Sequence, residues 1–173
     1  MTAQPRIAVL FVCLGNICRS PLAEGVFRAV VEERGEAANY VIDSAGTGGW
    51  HVGSVPDPRS IRIAAAHGVD ISGQTCRQVA DGDFERFDLI FGMDGSNVAD
   101  LKSRASPRDR GRIHLLTDFA HGASKDVPDP YYGGPDGFLS VYRMIRAACE
   151  SVADQLAARG AAGASKGQAS STT

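Results

Sequence analysis

The stretch that decides the fold is Ile7-Ala8-Val9-Leu10-Phe11-Val12-Cys13-Leu14-Gly15-Asn16-Ile17-Cys18-Arg19-Ser20-Pro21. Its first half, Ile7 to Val12, is an uninterrupted apolar run rich in β-formers, the pattern of a strand buried on both faces. Its second half breaks into a glycine-bearing turn and then opens a helix, with Ser20 read as the N-cap and Pro21 in the first turn. Leu22, Val26 and Ala29 or Val30 recur at helical spacing until Gly35. A buried strand, a tight loop and a helix in that order are the opening unit of an open α/β sheet, and ligands of such sheets sit beyond the carboxyl ends of the strands.

The rest of the chain repeats the alternation. Strands are predicted at Tyr40 to Ala45, Phe87 to Gly92 and Arg112 to Leu116. Asp57-Pro58 predicts a helix start, with the end near His67-Gly68, and Met93-Asp94 leads into a helix reaching about Arg104. Phe138, Val141, Tyr142, Ile145, Cys149, Val152 and Leu156 trace one face of a long last helix. Together these predict a single α/β domain around a four-stranded parallel sheet, over residues 1–158. Residues 159–173, poor in large apolar side chains, read as a disordered Ala/Gly/Ser/Thr-rich tail.

Bulk composition excludes several classes. The chain has 173 residues, enough for one domain with a proper core, and 43% hydrophobic with 22% charged residues is ordinary globular usage. A formal net charge of -2 argues against a nucleic-acid binder. No apolar run is long enough to span a bilayer. The N-terminal apolar stretch is interrupted by Cys13 and lacks a small-residue cleavage site, so the four cysteines read as thiols of a cytoplasmic protein. A zinc site is improbable with only Cys13 and Cys18 close together, and neither a metal nor another cofactor is expected.

Cys13 and Arg19 bracket five residues, Leu14, Gly15, Asn16, Ile17 and Cys18. A loop feeding a helix N-terminus can aim successive N–H groups inward as an anion cradle. Gly15 and Asn16 suit the unusual dihedrals this needs. Arg19 can close the ring with a planar two-point grip on phosphoryl oxygens. A thiol in that positive field ionises more readily and becomes a nucleophile beneath a bound phosphate. Ser20 is near enough in sequence to hydrogen-bond the sulfur. The plainer reading makes Cys13 a strand-end residue and Arg19 a solvated charge; the strand before, Gly-Asn within and Ser-Pro after favour the cradle.

The segment VCLGNICRSP, Val12 to Pro21, resembles the signature loop of the low-molecular-weight protein-tyrosine phosphatases. SAGT at Ser44 to Thr47, PDPR at Pro56 to Arg59 and DPYYG at Asp129 to Gly133 fit that family in order and spacing, and the likeness covers about the first 155 residues. The resemblance implies a three-layer α/β/α, phosphatase I-like (Rossmann-like, flavodoxin-like) fold. It also implies hydrolysis of phosphotyrosine through a cysteinyl-phosphate on Cys13, with Arg19 binding phosphate. Asp129 is then the general acid and later the base; by composition alone it is a turn residue before Pro130, and both can hold at once. Trp50, His51, Tyr131 and Tyr132 would wall the substrate crevice, with simple loop anchoring the equal alternative for Trp50. Asn16 and Ser44 would fix the loop, unless Ser44 only caps its strand. The family often adds a histidine to that net; here Gln74 stands before Arg77-Gln78.

Cys18 is a candidate redox partner for Cys13, or simply a small buried residue. The resemblance further implies a monomer acting on phosphotyrosine proteins, with a bacterial tyrosine kinase among its partners. Three rivals remain. An arsenate reductase of related fold needs a cysteine relay that the separated Cys76 and Cys149 do not supply. A protein-arginine phosphatase looks to carry threonine where this chain has Ile17. A phosphotyrosine-binding module would need neither the thiol nor the acid.

Overall fold

The computed structural model describes residues 6–169, with side chains to residue 160. Four strands, β1 (Ile7–Cys13), β2 (Tyr40–Gly46), β3 (Leu89–Gly92) and β4 (Ile113–Leu115), form one parallel sheet in the order β2-β1-β3-β4. Because β1 lies between β2 and β3, the direction of winding reverses at its edge with β3. That reversal opens a crevice at the carboxyl ends of β1 and β3. The register aligns Cys13 with Gly46 and Val12 with Gly92, so the ends of three strands share one rim.

Period-two alternation divides β1 between two cores. Val9, Phe11 and Cys13 face a cluster with α1 (Arg19–Glu33), α2 (Pro58–Ala66), α5 (Leu116–His121) and α6 (Pro135–Ala169). Ala8, Leu10 and Val12 face the other side, under α3 (Asp83–Arg86) and α4 (Gly95–Arg104). The layers are therefore α/β/α, and both faces of β1 are covered, which is why its sequence is apolar without alternation. Phe11 is wedged between Phe27 and Phe91, with both ring separations at 5.7 Å. Each such pair adds about 0.5–1.5 kcal/mol beyond burial.

The elements follow local chemistry with several differences, among them β3, which starts at Leu89 rather than Phe87 because Phe87 closes α3. α2 starts as expected: Asp57 Oδ1 accepts from the Arg59 N–H at 2.8 Å, with Pro58 in the first turn. All seven residues expected on the inner face of α6 are buried. α1 begins two residues earlier than its Ser20-Pro21 signal, at Arg19 with Cys18 as N-cap and no side-chain cap. Ser20 does not cap, because its hydroxyl is engaged beneath the loop. β4 is only three residues long, since Leu116 turns into α5, whose Gly122 cap is left-handed at φ 66. The short α3 escaped the apolar pattern because it is set by a side chain: Asp83 Oδ2 accepts from the Ala80 N–H at 2.8 Å. Finally, α6 extends to Ala169, past the boundary expected at 158; residues 170–173 of the expected tail lie outside the described residues. No described helix is long and apolar enough to cross a membrane.

Candidate active site

Cys13 ends β1 and is 3% exposed. The chain then bends through residues 14–18 before α1. Asn16 holds φ 56, and it is the one described non-glycine residue in that region. Five carbonyls on this path, those of residues 13, 14, 16, 17 and 18, are turned outward and bound by the surrounding framework. Cys13 O and Leu14 O accept from the N–H groups of Thr47 at 2.9 Å and Gly48 at 2.8 Å. Asn16 O accepts from the Cys76 thiol at 2.8 Å, Ile17 O from the Asp57 N–H at 2.8 Å, and Cys18 O from the Ser60 hydroxyl at 3.2 Å. Among the described residues, no N–H from Leu14 to Cys18 donates to a protein acceptor. With carbonyls held out and amides left free beside an uncapped helix start, the loop presents a concentrated positive field around the sulfur.

A buried side-chain net fixes this shape from below. The Asn16 amide donates to Ser20 Oγ at 2.9 Å and to Ser44 Oγ at 3.0 Å, and its oxygen accepts from the Arg77 N–H at 2.9 Å. Ser20 Oγ lies 3.1 Å from Cys13 Sγ and 3.3 Å from the Ala45 carbonyl. Its single proton can therefore turn to a thiolate when one forms. Ser44 donates on to Glu24 at 2.9 Å, and Glu24 accepts from Arg28 at 3.3 Å. Burial pushes the Glu24 carboxyl above its ordinary range, against the pull of Ser44 and Arg28. Glu24 was not visible as a site residue in the sequence; its helical position among apolar neighbours was the one signal. Gln74 does not replace the missing histidine in this net. Its amide instead donates to the Pro21 carbonyl at 3.0 Å.

Arg19 projects from the first turn of α1 and is 3% exposed. Nη1 donates to Asp94 Oδ2 at 2.6 Å and to the Val127 carbonyl at 3.0 Å; Nη2 lies 3.6 Å from Asp129 Oδ2. Burial opposes its charge, but Cys13 and Asp94 outweigh burial and hold the guanidinium above its ordinary value. Asp94 crosses the reversal point from the end of β3 and also caps α4, accepting from the Asn97 N–H at 2.7 Å. Its place just before a helix was legible in sequence, and its hold on Arg19 was not.

Cys13, Leu14, Gly15, Ile17, Cys18 and Arg19 form the floor of a cavity of about 300 Å³. Its walls are Trp50, His51, Asp129, Tyr131 and Tyr132. Asn16, Ser20 and Ser44 lie underneath as support. Asp129, 43% exposed at the side chain, also accepts from the Tyr131 N–H at 3.0 Å, so its turn role coexists with its place at the mouth. Trp50 is 73% exposed and Tyr132 95%, the two outermost rings. A Cβ on Gly15 would stand 3.1 Å from His51 Cδ2, which places His51 directly over the loop. Among the described residues no group of three His, Cys, Asp or Glu could hold a metal ion.

Fold and site define an α/β domain with a loop of free amides following a cysteine at the carboxyl end of a parallel sheet. The family model for low molecular weight phosphotyrosine protein phosphatase matches residues 8–162. A relative from Schizosaccharomyces pombe bearing that same name is 48% identical over 141 residues, covering 80% of this chain and 90% of its own. The crystal structure of YfkJ from Bacillus subtilis superposes with a TM-score of 0.85 at 38% identity, covering 91% of this chain and 99% of that one. The structure of DARP, a Drosophila arginine phosphatase, superposes with a TM-score of 0.78 at 34% identity, over 86% of this chain and 96% of that one. The chain belongs to the low molecular weight phosphotyrosine protein phosphatase family.

Proposed function

We propose that the protein hydrolyses phosphotyrosine in protein substrates, and small aryl phosphates, through a cysteinyl-phosphate intermediate. The observation that carries this reading is the loop of outward carbonyls and unpaired amides wrapped around Cys13 Sγ. Such a loop binds the three equatorial oxygens of a phosphoryl group, and little covalent chemistry then remains beyond positioning and charge stabilisation. Arg19, anchored through Nη1, has Nη2 left to grip an oxygen that competes with Asp129 for it.

In the first step the Cys13 thiolate forms an S–P bond while the ester P–O bond breaks. The carboxylic proton of Asp129 passes to the departing phenoxide, leaving free tyrosine and a cysteinyl-phosphate. In the second, the Asp129 carboxylate takes a proton from water, the water oxygen forms the new P–O bond, and the S–P bond breaks. Inorganic phosphate and the thiolate result. Ser20 donates to sulfur in both thiolate states, which lowers the cost of sulfur as a leaving group.

Hydrolysis of phosphoarginine is the competing reading, because a structural neighbour carries that activity in its name. The branched apolar Ile17 in the same cavity as Trp50 and Tyr131 favours a flat aryl ester over a charged guanidinium. The test is parallel turnover of p-nitrophenyl phosphate, phosphotyrosine peptides and phosphoarginine peptides. Wild type is expected to prefer the aryl esters, and Cys13→Ser is expected to lose turnover by about 10⁴-fold or more. Preference for phosphoarginine would overturn the substrate reading, and turnover surviving in Cys13→Ser would overturn the covalent mechanism.

A further inference from the structure

A second cavity, about 480 Å³, abuts the crevice from the far side of its tyrosine wall. The Arg59 guanidinium contacts a ring from each cavity. Arg59 Cζ stands 5.3 Å from the centre of the Tyr131 ring, which lines the crevice, and 4.7 Å from that of Phe138, which lines the second cavity. Arg59 is already committed: Nε and Nη2 each donate to an Asp57 carboxylate oxygen at 3.0 Å.

The next cation along the same face of α2 is different. Arg62 lines the second cavity, is exposed, and makes no ion pair among the described residues. No acidic residue lines the cavity, and its floor is apolar, from Ile63, Pro135 and Phe138. A cation with no direct ion pair, over an apolar floor, is complementary to a side chain with a short aliphatic stem and a carboxylate end. An extended peptide advances roughly 3.3 Å per residue, so a chain whose phosphotyrosine occupies the crevice brings its near neighbours to this cavity.

We propose that the second cavity is a specificity site for an acidic residue flanking the phosphotyrosine, read by Arg62. The proposal rests on the phosphatase reading above. It assigns Arg62 no part in the chemistry, only in the choice among phosphopeptides.

The test is a series of alanine-rich phosphotyrosine peptides with one glutamate moved from four residues before to four after the phosphotyrosine. In wild type, kcat/KM is expected to rise about fivefold when glutamate occupies one or two neighbouring positions on one flank, mainly through KM. In Arg62→Ala that gain is expected to vanish, and in Arg62→Glu lysine at the same position should give the gain instead. Each comparison is a ratio within one variant, so a general loss of activity does not mimic the effect. A flat series from an enzyme that does hydrolyse p-nitrophenyl phosphate and the peptides overturns the flanking site alone. A glutamate preference that survives in Arg62→Ala does the same. Failure to turn over p-nitrophenyl phosphate and every peptide overturns the phosphatase reading, and the flanking site with it.

Discussion

Cys13 and Cys18 share one loop and differ in surroundings. The Cys18 thiol is pushed up to about 12, first by burial and then by the negative charges of Asp57, Cys13 and Asp129, with the Ser60 hydroxyl opposing. Being raised, it stays protonated from acid to well above neutral pH and is a poor nucleophile throughout. Iodoacetamide at pH 6–8 is therefore expected to label Cys13 and spare Cys18, with added phosphate slowing the reaction; peptide mapping that finds Cys18 labelled equally fast would contradict this. Asp94 supplies the second prediction. Asp94→Asn keeps an oxygen for the Asn97 N–H but removes the charged partner of Arg19. A hydrogen bond to a charged group contributes about 1.5–3 kcal/mol, so the urea midpoint should fall, and kcat/KM should fall roughly 10- to 100-fold as Arg19 loses its anchor. The sequence displayed Cys13, Arg19 and Asn16 because neighbours at fixed offsets gave them meaning. Asp94 lies 75 residues from Arg19, and the sequence marks it only as the lead into a helix, so nothing local betrayed this partner.

At the scale of elements, the end of β2 limits the loop as closely as β1 does. A Cβ on Gly46 would meet Leu14 O at 2.9 Å, Asn16 N at 3.0 Å and Gly15 C at 3.0 Å, all of them backbone atoms. No rotamer change relieves such contacts, so Gly46→Ala must shift the loop or the strand. A loss of about 1–3 kcal/mol in unfolding free energy is expected, with a larger proportional fall in kcat than in KM. Equal kcat in Gly46→Ala and wild type would show that the loop tolerates displacement. The strand-loop-helix opening was legible because an apolar run, a glycine turn and a proline all agree. The sequence places the start of α1 two residues late because Ser20 satisfies the cap rule, yet its hydroxyl is claimed by Asn16 and faces Cys13. The break between β4 and α5 was hidden for a related reason. Leu115 and Leu116 are both apolar, and the turn there is set by packing and by the bond from the Thr117 hydroxyl to the Lys125 carbonyl, neither of which shows in periodicity.

Across the whole molecule, the parallel sheet was readable because strands buried on both faces have a distinctive composition, and α6 because seven apolar residues keep one helical face. The polar net beneath the loop was less readable, since its members come from α1, the loop and β2. Glu24 in that net gives a pH dependence. Its folded-state value is raised by burial, so the native state holds this proton more tightly than the unfolded chain. The stability it contributes is present below the unfolded value, about 4.3, and is lost as pH rises through the folded one. Relative to wild type, Glu24→Gln should gain stability between pH 4 and 7 in urea titrations; a difference independent of pH would refute this. One last consequence comes from the five carbonyls tied to residues 47, 48, 57, 60 and 76. Segments so distant in the chain cannot hold that ring once the domain has melted, so an oxyanion recognises the native form alone. Phosphate at about one hundred times its dissociation constant should then act as thermal ballast of about 2.7 kcal/mol and raise the melting midpoint by roughly 5–10 °C. The rise should persist in Cys13→Ser, because the amides, rather than the sulfur, hold the ion.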